Sequence, residues 1–149
     1  MAVVEGAEHL IQKLKAIKQS VAKRLLRKAI GNGTRAILRA AKSQAPTRTS
    51  LLRKSLGRKV KAYRGGIAVA GIVGARLGFR QVRGEGKRGK RAGKTLYADP
   101  VKYEHLVELG TVRSRAQAFL NPAWLAVKSS VTADLKETLA AGIAKAAGG

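Results

Sequence analysis

At 149 residues the chain has room for one domain, spanning 1–149, with a modest core. Lys and Arg number 31 against 8 Asp and Glu, a formal net charge of +23, so an isolated subunit repels its own kind and attracts polyanions, and nucleic acid or an acidic protein surface is the expected neighbour. Cysteine is absent, which excludes disulfides, thiolate metal sites and cysteine nucleophiles; no run reaches the roughly 20 apolar residues of a membrane span, and His9, Lys13, Lys15 and Lys18 interrupt any signal-peptide core, so a soluble protein with no membrane partner is expected.

Leu10, Leu14, Ile17 and Val21 recur at steps of four and three and predict a short first helix over 5–18. Ser20 is placed to cap a second, in which Val21, Leu25, Ala29, Gly33, Ile37 and Ala41 form an apolar row. Opposite them stand Arg24, Lys28, Arg35, Arg39 and Lys42. That register survives Gly31, Asn32 and Gly33, although each glycine costs about 1 kcal/mol in a helix interior, so 20–43 reads as one helix with room for a kink at 31–33. The basic row is open to two uses, a solvated face or a contact with a polyanion.

Pro46 ends that helix, because the residue before a proline is driven out of the α region, and the connection to Leu56 carries one helical turn. Residues 60–63 and 67–73 are rich in β-branched and aromatic side chains and flank Gly65-Gly66, a two-residue hairpin signal. A third strand is expected over 77–82, where apolar and polar residues alternate. Residues 83–94, RGEGKRGKRAGK, carry four glycines and six cations and no side chain large enough to anchor a core, so a mobile loop is expected, the tip of a long hairpin returning through 95–98. Asp99-Pro100 has the form of an N-cap followed by proline at the first helical position, predicting a short helix to Val107 that Gly110 stops. Beyond Asn121-Pro122, the row Trp124, Val127, Val131, Leu135, Leu139 and Ile143 predicts a long amphipathic C-terminal helix. The expected class is α+β, a small antiparallel sheet of three to four strands with the N-terminal helices and the long C-terminal helix packed on it.

Nothing in this order points to catalysis or to a cofactor. No two of the eight carboxylates have a spacing and surroundings that suggest a raised pKa, and His9, in an amphipathic helix, and His105, in a short one, are too isolated to form a metal-ligand cluster. The glycines of 84–93 lack the phosphate-loop spacing and lead into no helix. Tyr63, Phe79, Tyr97 and Tyr103 are too scattered for a base-stacking platform. The arm formed by Arg83, Lys87, Arg88, Lys90, Arg91 and Lys94 has two readings of equal standing: flexible cations on a phosphate backbone, or an assembly arm that orders against a neighbouring subunit.

Three stretches taken in order resemble the neck, or tail-completion, family of long-tailed double-stranded DNA phages. AKSQAPTRTSLLRKSL is similar to the family's Ala, Pro, Thr-Gly, Leu, basic residue, Ser and aliphatic pattern through Ala45, Pro46, Thr49, Leu51 or Leu52, Arg53, Ser55 and Leu56, with Ser50 where the family commonly has glycine. KYEHLVELGT matches a tyrosine and an aliphatic-Glu-aliphatic-Gly-Thr element through Tyr103, Val107, Glu108, Leu109, Gly110 and Thr111. AFLNPAW matches the start of the family's last helix through Phe119, Leu120, Pro122 and Ala123. The arm at 83–94 is longer and more charged than the family pattern.

The resemblance implies a structural virion protein and not an enzyme: a homo-oligomeric ring, six copies before twelve, at the head–tail interface, assembled in the bacterial cytoplasm. Its implied partners are connector or stopper proteins, tail-terminator proteins and packaged double-stranded DNA. In such a ring Glu108, one of few acids, is a candidate partner for an Arg of the next subunit, with a local surface ion pair the other reading. Two other functions fit the same sequence, a non-sequence-specific nucleic-acid-binding protein and a tail-tube terminator subunit.

Overall fold

The computed structural model describes Glu8, Ile11 and residues 19–46, 50–63 and 68–147. The helix expected over 5–18 lies outside the described residues, apart from Glu8 and Ile11, which are both helical. The elements are α1 (Gln19–Gln44), α2 (Leu51–Ser55), β1 (Leu56–Tyr63), β2 (Ala68–Ala75), β3 (Gln81–Glu85), a 3-10 turn (Gly89–Arg91), β4 (Thr95–Ala98), α3 (Pro100–Leu109) and α4 (Leu120–Ala147). The class is α+β, as expected.

Helix α1 runs without interruption through Gly31-Asn32-Gly33. Gly33 is required there by packing: a Cβ would stand 2.8 Å from Val131 Cγ1 of α4. The same holds in reverse for Gly142 of α4, whose Cβ would run into the Leu25 side chain of α1. Small residues thus let the two long helices lie close, and the apolar row of α4 turns Val131, Leu139 and Ile143 inward as its spacing predicts. On its other flank α1 meets the β1–β2 ribbon, where a Cβ on Gly71 would strike Thr34. Thr34 is itself buried, its hydroxyl donating to the carbonyls of Ile30 and Gly31.

The four strands do not form one sheet. They make two separate antiparallel ribbons, β1 with β2 and β3 with β4. The first pairs Leu56 with Ala75 through to Tyr63 with Ala68; the turn expected at Gly65-Gly66 lies outside the described residues. The strand expected over 77–82 begins only at Gln81. Arg76 is the reason: its backbone N–H and its guanidinium both bind the end of α2 and the cation lies over the Phe79 ring, so 76–79 closes as a turn with Gly78 at φ +78° and Leu77 in solvent. Alternation alone cannot distinguish a strand from such a turn.

The innermost cluster gathers Ala41 of α1 and Ala45 just beyond its end, Leu52 and Leu56 at α2, and Phe119 and Ala123 at the start of α4, with Val73, Tyr103, Val107 and Leu120 packed around it. Phe119 is fully buried.

Candidate functional site

Phe119 immediately precedes α4 and has no side-chain oxygen with which to cap it. A helix leaves its first N–H groups without partners inside the helix, and their positive ends attract an anion. Here the anion comes from another element. Glu108 Oε2 accepts hydrogen bonds from the backbone N–H of Phe119 at 2.8 Å and Leu120 at 3.0 Å, and Oε1 accepts one from Asn121 at 3.0 Å. Pro122 has no N–H to satisfy, and Ala123 N–H donates to the Phe119 carbonyl. Burial opposes ionisation of Glu108, but the three backbone donors outweigh it and hold the pKa below the ordinary value of 4.5. Within the chain the Glu108 carboxylate thus binds main-chain donors, and no Lys or Arg of the described residues stands within ion-pair distance of it.

Residues between α3 and α4 are folded to permit this. Gly110 has φ +78°, and a Cβ there would stand 2.7 Å from the Ala116 nitrogen, so the position needs glycine on two counts. Thr111 and Ser114 bridge each other through their main chains, and Gln117 N–H donates to the Val107 carbonyl at 2.8 Å. One turn before Glu108 on α3, Glu104 accepts from the Ala75 N–H with both oxygens at 3.0 Å. Two glutamates four apart thus hold the end of β2 and the start of α4. Asp99 precedes α3 as expected but makes no side-chain cap; one oxygen faces Arg80 at 3.6 Å, and the other is buried with no hydrogen-bond partner among the described residues. Tyr103 is half-buried, and burial raises its pKa, with Arg83 opposing and Asp99 adding.

Ser55 is fully buried, its hydroxyl donating to the Leu52 carbonyl at 2.6 Å, and Leu52 sits in the core. Pro46 is half-buried just beyond α1. Ser50 precedes α2 at φ +49°, a left-handed conformation that glycine adopts without strain.

Beyond Arg83, whose charge reaches Tyr103, the basic arm extends away from this centre. Strand β3 continues through Arg83, which is the extra residue of a bulge between Val82 and Gly84, as far as Glu85. Gly86 then bridges Ala92, and backbone hydrogen bonds from Gly86 to Lys94 and from Gly93 back to Gly86 close the tip. The long hairpin expected to return through 95–98 is present, and backbone hydrogen bonds pair its tip with itself, which its composition could not reveal. Arg83, Lys87, Arg88, Lys90, Arg91 and Lys94 are all exposed along it. Among the described residues no three His, Cys, Asp or Glu side chains come together as a metal site.

The structure therefore brings Leu52, Ser55, Tyr103, Glu108, Gly110, Phe119 and Pro122 into one neighbourhood and leaves the arm beyond Arg83 outside it. Glu104 and Arg76 carry no signal in the sequence. Their role is to bind main-chain ends contributed from elsewhere in the fold, and no local pattern marks that. No known family, curated protein or solved structure matches the chain.

Proposed function

We propose that this chain is a structural subunit of a tailed double-stranded DNA phage, assembling into a ring at the head–tail junction that joins the tail to the DNA-filled capsid. One observation carries the reading. The three stretches that resemble the neck family, distant in sequence, supply most of a single core: Ala45, Leu52 and Leu56 from the first, Tyr103 and Val107 from the second, Phe119, Leu120 and Ala123 from the third. Glu108 of the second stretch caps the helix that the third begins. The pattern thus behaves as one structural unit, the expected behaviour of residues that define a fold for assembly and not a reaction centre.

A head-to-tail ring needs two unlike faces on each subunit. Leu109 and Val112, at 76% and 107% relative exposure on either side of Gly110, are apolar side chains that a neighbour would cover. The arm at 83–94 reaches an adjoining subunit, a connector, stopper or terminator ring, or the DNA. Six copies are expected before twelve, because phage tails are six-fold. The net charge of +23 also supports a second reading, a non-specific nucleic-acid-binding protein.

Negative-stain microscopy with mass measurement of the purified full-length chain at moderate salt tests the proposal. Closed rings of uniform size are the expected result. A persistent monomer that coats free DNA would overturn it in favour of the second reading.

A further inference from the structure

We infer that α1 and β1 together build one rail of cations for the phosphate backbone of duplex nucleic acid, in which Arg58 of β1 supplies the cation that Gly31 of α1 lacks. On α1, Arg24, Lys28, Arg35, Arg39 and Lys42 follow one another at three or four residues, with a single gap of seven between Lys28 and Arg35. Gly31 stands in that gap. Arg58 reaches across from the strand, and its Nη1 donates to the Gly31 carbonyl at 3.3 Å. Arg58 lines a groove together with Arg27, Lys28, Gly31 and Arg35.

Packing does not explain this glycine. A Cβ on Gly31 would find only the Arg58 guanidinium, at an ordinary 3.8 Å, whereas Gly33 is held to glycine by Val131. A long side chain at 31 would instead take the space the guanidinium occupies. The glycine is unfavourable in a helix interior, and what it provides is the place for a cation from another element.

The shape of the array points to the occupant. Arg24 to Lys42 spans eighteen residues, roughly 27 Å at about 1.5 Å per residue. Duplex DNA carries about one charge per 1.7 Å of axis, so that length faces about sixteen phosphate charges. A line of cations about one turn apart fits an extended polyanion and not a point anion. Arg24, Lys28, Arg35, Arg39 and Arg58 are exposed, and none of these five, nor Lys42, makes an ion pair with a carboxylate among the described residues. No aromatic side chain lines the groove, so the contact is with backbone and not with bases. The inference does not depend on ring formation.

The test is fluorescence anisotropy of a labelled 24-base-pair duplex of arbitrary sequence, titrated with the full-length chain over a series of NaCl concentrations. Arg35→Gln with Arg39→Gln is expected to weaken binding at least tenfold near 0.1 M salt and to reduce the log–log salt slope by about 1.8, at roughly 0.9 for each phosphate no longer neutralised. Arg58→Gln should reduce it by about 0.9. The charge-matched pair Lys128→Gln with Lys136→Gln, exposed on α4, should leave the slope unchanged. Gly31→Leu retains every charge yet displaces the guanidinium, and should weaken binding while the circular-dichroism melt stays at or above that of the parent. Equal losses from the α4 pair and the α1 pair would overturn the inference, as would a folded Gly31→Leu variant that binds like the parent. Should Gly31→Leu fail to fold, the comparison of the two charge-matched pairs decides alone. An α1 pair variant that no longer binds poly-glutamate yet binds the duplex in full would also overturn it, by assigning the rail to an acidic protein surface.

Discussion

Glu108 is tied to three main-chain N–H groups by charge-assisted hydrogen bonds, and such bonds contribute about 1.5–3 kcal/mol each before coupling reduces the sum. Glu108→Ala should lower stability by about 2–3 kcal/mol, and Glu108→Gln by about 1–2 kcal/mol because an amide oxygen still accepts. The pH dependence follows from the sign of the shift. The folded pKa lies below the ordinary 4.5, so the stabilisation is complete above that value and is lost as pH falls through the depressed folded value. Urea unfolding of parent and Glu108→Gln should therefore show a gap at pH 7 that narrows once the pH drops below 4.5. A gap that stays constant through that acid range would rule out the carboxylate as the cap of α4.

At the scale of elements, α1 and α4 pack tightly, where Gly33 faces Val131 and Gly142 faces Leu25. Overfilling a tight contact costs about 1–3 kcal/mol, since neighbours must leave their rotamers. Gly33→Leu should cost at least that much despite the gain in helix propensity, read as a lowered urea midpoint with unchanged slope. The contrast with Gly31, two residues away and open, is what makes a pair of helical glycines mean two different things. The helices themselves were legible as apolar rows at period 3.6. The division of the strands into two ribbons was not, because pairing between strands is a contact at a distance and Arg76 decides where the chain turns.

For the whole molecule, the excess of 23 positive charges acts against compactness at low ionic strength and is screened within a Debye length of about 10 Å at 0.1 M. Assembly is then expected to strengthen with salt up to the point where contacts to DNA weaken, which separates the two kinds of association. Leu109→Ser with Val112→Ser removes apolar surface that the subunit itself does not bury, so its unfolding free energy should change by no more than about 0.5 kcal/mol. The same pair should abolish rings in sedimentation velocity. Rings that persist unchanged would place the subunit interface elsewhere on the surface.

Composition and periodicity were enough for the α+β class, the two long helices, the breaks at Pro46 and Gly110 and the exposed cations of the arm, because each depends on neighbours in the chain. They also marked Glu108 as one of few acids in a basic chain, without identifying its partner. The capping of α4 from α3, the hold of Glu104 on β2, and the meeting of Arg58 with Gly31 join residues 11 to 29 positions apart. A backbone N–H or carbonyl is present at almost every residue and leaves no mark in the sequence when it becomes a partner. Only the folded chain, by bringing one main-chain end under one particular side chain, determines which of these identical groups is used.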